Sequence, residues 1–163
     1  MSKKQMRKIV VDGETYLWTR RHFHLTEYTQ SRCVEKLNIH HADHKRSPLL
    51  LRFREEDNQH RPSATDHWYV GSPGDGGIFL LEGGVGCHFC LDFNRPRVIA
   101  AIIRLLRATL WNPATDNRPC EPDNALLFLD QHRESLRPVA INPIEIHTAR
   151  LAEPNSDGPS PPP

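Results

Sequence analysis

The sequence predicts an α+β domain in which a mainly antiparallel sheet of five to seven strands packs against one amphipathic helix, with a short second helix. Two observations carry this prediction. Short apolar runs separated by turn residues occupy the chain up to about residue 93, and one long helical pattern follows from about residue 95 to 110. No helical pattern separates the strand candidates, so antiparallel hairpins are expected. The length of 163 residues suits one domain.

The first hairpin is predicted near the start of the chain. Apolar residues 9–11 lead into Asp12-Gly13, a dipeptide favoured in tight turns, and strand-forming residues follow at 15–18. The second strand is expected to continue to about Leu25. The chain would then return through residues 32–41, which extends the sheet as a meander.

Later strands follow the same pattern. Pro48 can open a strand at 49–53, whereas residues 54–66 are charged and polar and predict a surface loop. The apolar runs 78–81 and 85–93 flank a Glu-Gly-Gly turn, so they predict a second hairpin.

The principal helix is predicted from about Arg95 to Leu110. Asn94 is a favourable cap residue, Pro96 is tolerated in the first turn, and residues 111–113 end the pattern. Seven apolar side chains fall within an arc of roughly 160° and are expected to cover one face of the sheet. They are Val98, Ile99, Ile102, Ile103, Leu105, Leu106 and Leu110.

The chain beyond this helix carries weaker signals. A brief helix is expected from Ala125 to Leu129, introduced by Asn124. We expect a flexible stretch at 1–5, a single domain at 6–133, and a proline-rich, largely disordered tail at 134–163.

Two signatures support a resemblance. The first hairpin contains Ile9-x-Val11-Asp12-Gly13-x-x-Tyr16-x-Trp18, and the helix opens with Asn94-Arg95-Pro96 and ends at Trp111-x-Pro113. Together they resemble a group of small uncharacterised bacterial proteins. The resemblance covers two short stretches; it implies a bacterial source and carries over no activity.

Charge and hydropathy restrict the partners. The 21 basic and 20 acidic residues give a formal charge of +1, so no long-range field draws the whole protein to nucleic acid or to an anionic membrane. No apolar run has the length of a signal-peptide core or of a membrane span, and we therefore expect a cytoplasmic protein. Its four cysteines are expected to be reduced thiols or metal ligands.

The pair Cys87-x-x-Cys90 has the spacing of a zinc knuckle. In a strand, however, residues three apart face opposite sides, so Cys87 is expected in the core beside Phe89 and Cys90 on a polar face. His88 and Asp92 share that face. The row His88, Cys90 and Asp92 is an alternative thiol site with a base, a nucleophile and a carboxylate; an ordinary polar strand face is the other interpretation.

Ten histidines make a metal site the second hypothesis. Imidazole, thiolate and carboxylate groups close together can bind zinc, nickel or copper, and the predicted hairpin would place His24 near Cys33. No cofactor is expected; if a metal binds, zinc is the expected ion. A solvated histidine-rich turn is the alternative. The candidate ligands are His22, His24, Cys33, His40, His41, Asp43 and His44.

The helix also has a basic face. Arg97, Arg104 and Arg107, which we call the arginine stripe, lie within about 80° of one another at 100° per residue. Such a stripe can bind phosphates or an acidic partner protein, and a solvated face is the alternative.

No catalytic residue is predicted. The leading hypothesis is a small non-enzymatic interaction protein, such as an adaptor, inhibitor or immunity-type protein, with another protein as its partner. A metal-binding or metal-dependent hydrolytic protein is the second hypothesis. A nucleic-acid binder that uses the arginine stripe is the third.

Overall fold

The computed structural model describes residues 6–27, 30–54, 67–70, 77–81 and 87–141. These residues form an α+β fold whose strand pairs are antiparallel within both sheets, which confirms the predicted class. The finer prediction, one sheet of five to seven strands closed by a helix, is not confirmed. The described strands instead form two sheets, one of four strands and one of three.

The first sheet has the order β1-β2-β3-β4. Its strands are β1, Arg7–Val11; β2, Glu14–Glu27; β3, Gln30–His41; and β4, Leu49–Arg54. The β1–β2 turn has positive φ at both central positions, 51° at Asp12 and 84° at Gly13. Glycine adopts that conformation without steric cost and aspartate tolerates it, which is why this dipeptide closes the predicted hairpin.

The second sheet has the order β5-β6-β7, with β5 at His67–Val70, β6 at Gly77–Leu81 and β7 at Cys87–Asp92. The predicted hairpin of β6 and β7 is confirmed. At Gly77 the backbone of Leu91 approaches so closely that a Cβ would lie 2.2 Å from its carbonyl oxygen. Only glycine fits at the start of β6.

Three helices follow: α1, Pro96–Thr109; α2, Ala125–Gln131; and α3, Arg133–Leu136. A short 3-10 turn at Arg137–Val139 continues from α3. The described part of the chain contains no helix that is both long and apolar enough to cross a membrane.

The two predicted caps have different outcomes. Asn124 caps α2, because its Oδ1 accepts a hydrogen bond from the Leu127 N–H at 2.8 Å. Asn94 does not cap α1: the cap position is Arg95, which makes no side-chain capping bond. The Asn94 side chain instead accepts a hydrogen bond from Arg20 on β2.

One hydrophobic core joins residues of both sheets and all three helices. From α1 it receives Val98, Ile99, Ile102, Ile103 and Leu106. The predicted apolar face included two residues that are not fully buried. Leu105 is only partly buried, and Leu110 is 49% exposed because the helix has already ended at Thr109.

Residues after the predicted domain boundary at 133 also pack against the domain. Leu136 is 1% exposed, and Ile141 exchanges two backbone hydrogen bonds with Cys90, at 3.0 and 2.8 Å. The predicted flexible stretch 1–5 and residues 142–163 of the predicted tail lie outside the described residues.

Candidate metal centre

The site lies on a hairpin arm formed by β2 and β3. These strands pair over twelve residues, from Tyr16 opposite His41 to Glu27 opposite Gln30. β1 reaches only to the level of Trp18, and β4 only to the level of Val34. We call residues 19–27 and their partners 30–38 the β2–β3 arm.

The register determines which side chains meet, because directly opposite residues of an antiparallel pair share one face of the sheet. Trp18 and its partner Ile39 are buried on the core face. Farther along the same face the residues become polar: His22 pairs with Glu35, and His24 pairs with Cys33. The arm therefore carries polar groups on a continuation of the core face.

His22, His24 and Cys33 each present a metal-ligating atom, and these three atoms all lie within 4.8 Å of one another. The Nε2 atoms of His22 and His24 are 3.2 Å apart, and Sγ of Cys33 is 3.4 Å from Nδ1 of His24. His22 and Cys33 are half-buried, whereas His24 is exposed. The expected proximity of His24 and Cys33 is thus present.

Glu35 holds this cluster in place through its contact with His22. Its side chain is fully buried, and its Oε1 lies 2.7 Å from Nδ1 of His22. Arg20 donates to both carboxylate oxygens, at 2.9 and 3.0 Å, and also to Oδ1 of Asn94 at 3.1 Å. A buried carboxylate needs such partners, and the guanidinium fork supplies them in a fixed geometry.

These contacts specify a consistent direction of hydrogen bonding. Glu35 accepts, so Nδ1 of His22 carries the proton and Nε2 is left with a lone pair. Nε2 of His24 can then donate to His22, and Nδ1 of His24 can accept from the Cys33 thiol. The result is a relay from thiol to carboxylate through two imidazoles.

The remaining candidate ligands lie elsewhere. His41 is on the same face of β3 as Cys33, but eight residues along the strand, about 27 Å at 3.4 Å per residue. Its ring contacts that of His44 at 4.7 Å, and the Asp43 N–H donates to its Nδ1 at 3.1 Å. His40 has the opposite parity and faces away. The seven predicted ligands therefore do not converge on one site.

Burial affects the two strand histidines of this second group. It lowers the pKa of His40. It also lowers the pKa of His41, where nearby His44 adds to the decrease and Asp43 opposes it. His41 borders the core, His40 is on the other face of β3, and neither forms a ligand set with the arm.

The prediction of a polar face at Cys90 is wrong. Cys90 is 6% exposed, and the bridge to Ile141 covers this edge of β7. Asp92 accepts hydrogen bonds from the Asn94 N–H at 2.8 Å and from Arg95 Nε at 3.1 Å, so it stabilises the entry to α1. The side chains of Cys87 and His88 lie outside the described residues.

The arginine stripe is partly neutralised. Arg104 forms hydrogen bonds of 2.9 to 3.2 Å with the Asp12 carboxylate, which lowers the pKa of Asp12. Arg107 donates to the Tyr16 hydroxyl at 2.8 Å and forms an ion pair with Glu14. Two of the three arginines thus attach α1 to the first hairpin, which weakens the case for a nucleic-acid contact.

Sequence patterns missed three members of the site: Arg20, Glu35 and Asn94. Glu35 shares parity with Leu37 and Ile39, so a charged residue was present at a core-facing position. The register of the hairpin would have placed it opposite His22. No local pattern connects Arg20 with Asn94, because they are 74 residues apart in sequence.

Comparison with protein-family models, with curated proteins and with solved structures finds no match to this chain. The resemblance to small bacterial proteins stays a prediction. Any function for the chain therefore rests on the chemistry of its own residues.

Proposed function

We propose that the chain is a zinc-binding protein whose site consists of His22, His24 and Cys33 on the β2–β3 arm. The observation that carries the proposal is the approach of two imidazoles and one thiol to within 4.8 Å of one another. Zinc prefers nitrogen and sulfur ligands in a tetrahedral arrangement. Three protein ligands would leave one position for water or for a ligand from outside the site.

The distances between the ligand atoms are close to those in a tetrahedral zinc site, so zinc binding would need only a small rearrangement. Zinc–nitrogen bonds of about 2.0 to 2.1 Å and zinc–sulfur bonds of about 2.3 Å place neighbouring ligand atoms about 3.3 to 3.6 Å apart. The contacts of His24 with His22 and Cys33 are 3.2 and 3.4 Å, but they use different nitrogens of its ring. Because His24 is exposed, its ring has room to turn one nitrogen toward the ion.

The contact between Glu35 and His22 supports the proposal independently of those distances. Histidines that bind metals usually donate their second ring N–H to a carboxylate or carbonyl, which sets the tautomer and the direction of the lone pair. Glu35 accepts from Nδ1 of His22 in this way and is itself held by Arg20. This leaves Nε2 of His22 as the ligand atom.

A structural or binding role suits the site better than metal-dependent hydrolysis. Hydrolytic metal centres hold a metal-bound water and the substrate in a shaped cavity. Here His24 is exposed on the β2–β3 arm. A zinc ion at this position would connect β2 to β3 and stiffen the arm, which accords with a non-enzymatic interaction protein.

A reactive thiol is the second candidate function. It is favoured by the 3.4 Å contact between Cys33 Sγ and His24 Nδ1, together with the relay through His22 to Glu35. A nucleophile, a base and an orienting carboxylate are the groups that covalent cysteine chemistry requires.

Zinc titration of untagged, metal-stripped protein separates the two functions. We expect one zinc per chain by native mass spectrometry, and a thiolate-to-metal charge-transfer band when cobalt replaces zinc. Cys33→Ser should remove the band and His24→Asn should weaken binding. Two matched controls, Cys120→Ser for a thiol outside the arm and His44→Asn for the other histidine group, should bind zinc normally.

The opposite result is equally informative. Failure of the wild-type protein to bind zinc, or binding that persists in the Cys33→Ser variant, would contradict the zinc site. Fast alkylation of Cys33 by iodoacetamide in a protein that binds no zinc would favour the reactive thiol instead.

A further inference from the structure

Among the residues that the structure describes, no strand pairs with one edge of the β2–β3 arm. β1 begins at Arg7, opposite Trp18, and Met6 already lies outside the ladder. On this side of β2, residues 19–27 pair with no strand among those that the structure describes. An open strand edge presents free N–H and C=O groups and readily pairs with another strand.

The hydrogen-bond pattern identifies the residues that face this edge. The Ala42 N–H donates to the Thr15 C=O at 2.9 Å, so Thr15 directs its backbone groups toward β3. Backbone direction alternates along a strand, and the register of β2 and β3 runs without interruption to Glu27. Even-numbered residues, including His22 and His24, therefore direct their N–H and C=O groups outward.

The face of the arm opposite the metal cluster carries exposed apolar side chains. Phe23 is 39% exposed and Leu25 is 40% exposed, and they alternate with the histidines on β2. Arg21 precedes them and Glu27 follows them at the same parity. The odd-numbered residues thus run basic, apolar, apolar, acidic.

We propose that two copies of this chain associate by antiparallel pairing of their β2 edges about a two-fold axis at His24. In this register Phe23 lies opposite Leu25 of the partner subunit, and Arg21 lies opposite Glu27 of the partner subunit. Each contact occurs twice by symmetry. His22 and His24 form the hydrogen-bonded positions, as their outward backbone groups require.

The charge and apolar patterns favour a second copy as the occupant. The sequence from Arg21 to Glu27 is self-complementary when it is reversed about His24, which pairs opposite charges and pairs apolar residues. Cross-strand pairs of both kinds stabilise a sheet, whereas like charges directly opposite destabilise it. The same register brings the two metal clusters next to each other across the axis. The pairing does not depend on zinc.

A charge-reversal cycle tests the register. The full chain, kept in a chelator, is diluted in sedimentation velocity experiments. We expect a reversible dimer that Arg21→Glu and Glu27→Arg each weaken about tenfold or more, because each reversal places like charges at two symmetric positions. The double variant should restore the wild-type dissociation constant.

Arg97→Glu on α1 is the matched control and should leave the dimer unchanged. Circular dichroism establishes that each variant is folded. A wild-type chain that is monomeric at all concentrations would overturn the inference, and so would a dimer that neither single reversal weakens. Since zinc is absent, either result leaves the proposed zinc site untouched.

Discussion

Glu35 determines the geometry of the candidate metal centre although it provides no ligand atom. Its carboxylate is buried, orients His22 through Nδ1 and is held by the two donors of Arg20. If Glu35 lost its charge, Arg20 would have no ionic partner, and the tautomer of His22 would no longer be fixed. A residue outside the set of candidate ligands thus controls the direction of the His22 lone pair.

We predict that Glu35→Gln lowers zinc affinity by about 10 to 100-fold, the usual effect of removing a carboxylate behind a ligating histidine. Competition with a chromophoric chelator measures the affinity. Glu121→Gln is the matched control, because Glu121 pairs with Arg52 on the surface of the first sheet. Equal affinities of the Glu35→Gln variant and the wild type would contradict a role for Glu35 in positioning His22.

His41 provides a second prediction at this scale. It is 4% exposed, its Nε2 makes no hydrogen bond to any described residue, and burial lowers its pKa. The charged groups near it are His44, Asp43, which opposes the decrease, and the Glu14 carboxylate, whose Oε1 is 3.9 Å from Nε2. Because the folded pKa lies below the ordinary value, the unfolded state takes up the proton first.

The contribution of His41 to stability should therefore be constant above about pH 7 and fall as the pH decreases through the ordinary histidine pKa of about 6.5 and below it. Urea unfolding at a series of pH values measures this slope. His41→Gln should reduce the slope, and the remainder is expected from His40, whose pKa burial also lowers. A variant with the full wild-type slope would show that His41 is not the source.

At the scale of elements, α1 contributes more buried apolar side chains to the core than any other described helix or strand. Five of its side chains are buried, and Ile102 lies among them with 0% exposure. Its ends are held by different means: Asp92 binds Arg95 before the helix, and Trp111 after it donates to the Ser47 carbonyl at 3.0 Å. The helix is thus held by β7 at one end and by the connection between β3 and β4 at the other.

Ile102→Ala should lower the free energy of unfolding by about 2 to 5 kcal/mol, since it removes buried methylene groups and leaves a cavity. Leu110→Ala is the matched control. Because Leu110 is half-exposed and lies beyond the helix, its loss should cost less than about 1 kcal/mol. Urea denaturation of both variants measures the difference, and similar losses would contradict the observed helix face.

The local sequence pattern predicted most of the helices and strands but few of the contacts between them. The turn at Asp12-Gly13, the Asn124 cap and the apolar period of α1 each depend on neighbouring residues, so short windows reveal them. Every described strand pair joins strands that are consecutive along the chain, but no short window shows that β4 and β5 belong to different sheets. For the same reason Asn94 was predicted as a cap, whereas its side chain binds Arg20.

At the scale of the whole molecule, the two sheets and the helices share one core. Its three tryptophans come from separate parts of the fold: Trp18 from β2, Trp68 from β5 and Trp111 from the segment after α1. Each is at most 1% exposed. Trp68 donates to Asp130 on α2 at 3.3 Å, which connects the second sheet to the helices.

This arrangement predicts one cooperative unfolding transition. Tryptophan fluorescence reports on all three regions, and far-ultraviolet circular dichroism reports on the backbone, so the two curves should coincide in urea. Tryptophan-to-phenylalanine variants that retain only Trp18 or only Trp68 separate the sheets. If the fluorescence midpoint of either variant differs from the midpoint of the same variant by circular dichroism, the sheets unfold independently.

The sequence by itself determined the α+β class, the first and last hairpins, the extent of α1 within a residue or two, and the proximity of His24 to Cys33. All of these follow from short-range periodicity and turn chemistry. Only the tertiary structure decided that the strands form two sheets, that the backbone of Ile141 pairs with that of Cys90, and that the histidines divide into two groups. It also revealed Glu35, Arg20 and Asn94 as the support of the site. Those features depend on strand register and on contacts between separate segments, and a one-residue change in the register of β2 and β3 would turn the side chains of one strand to the other face.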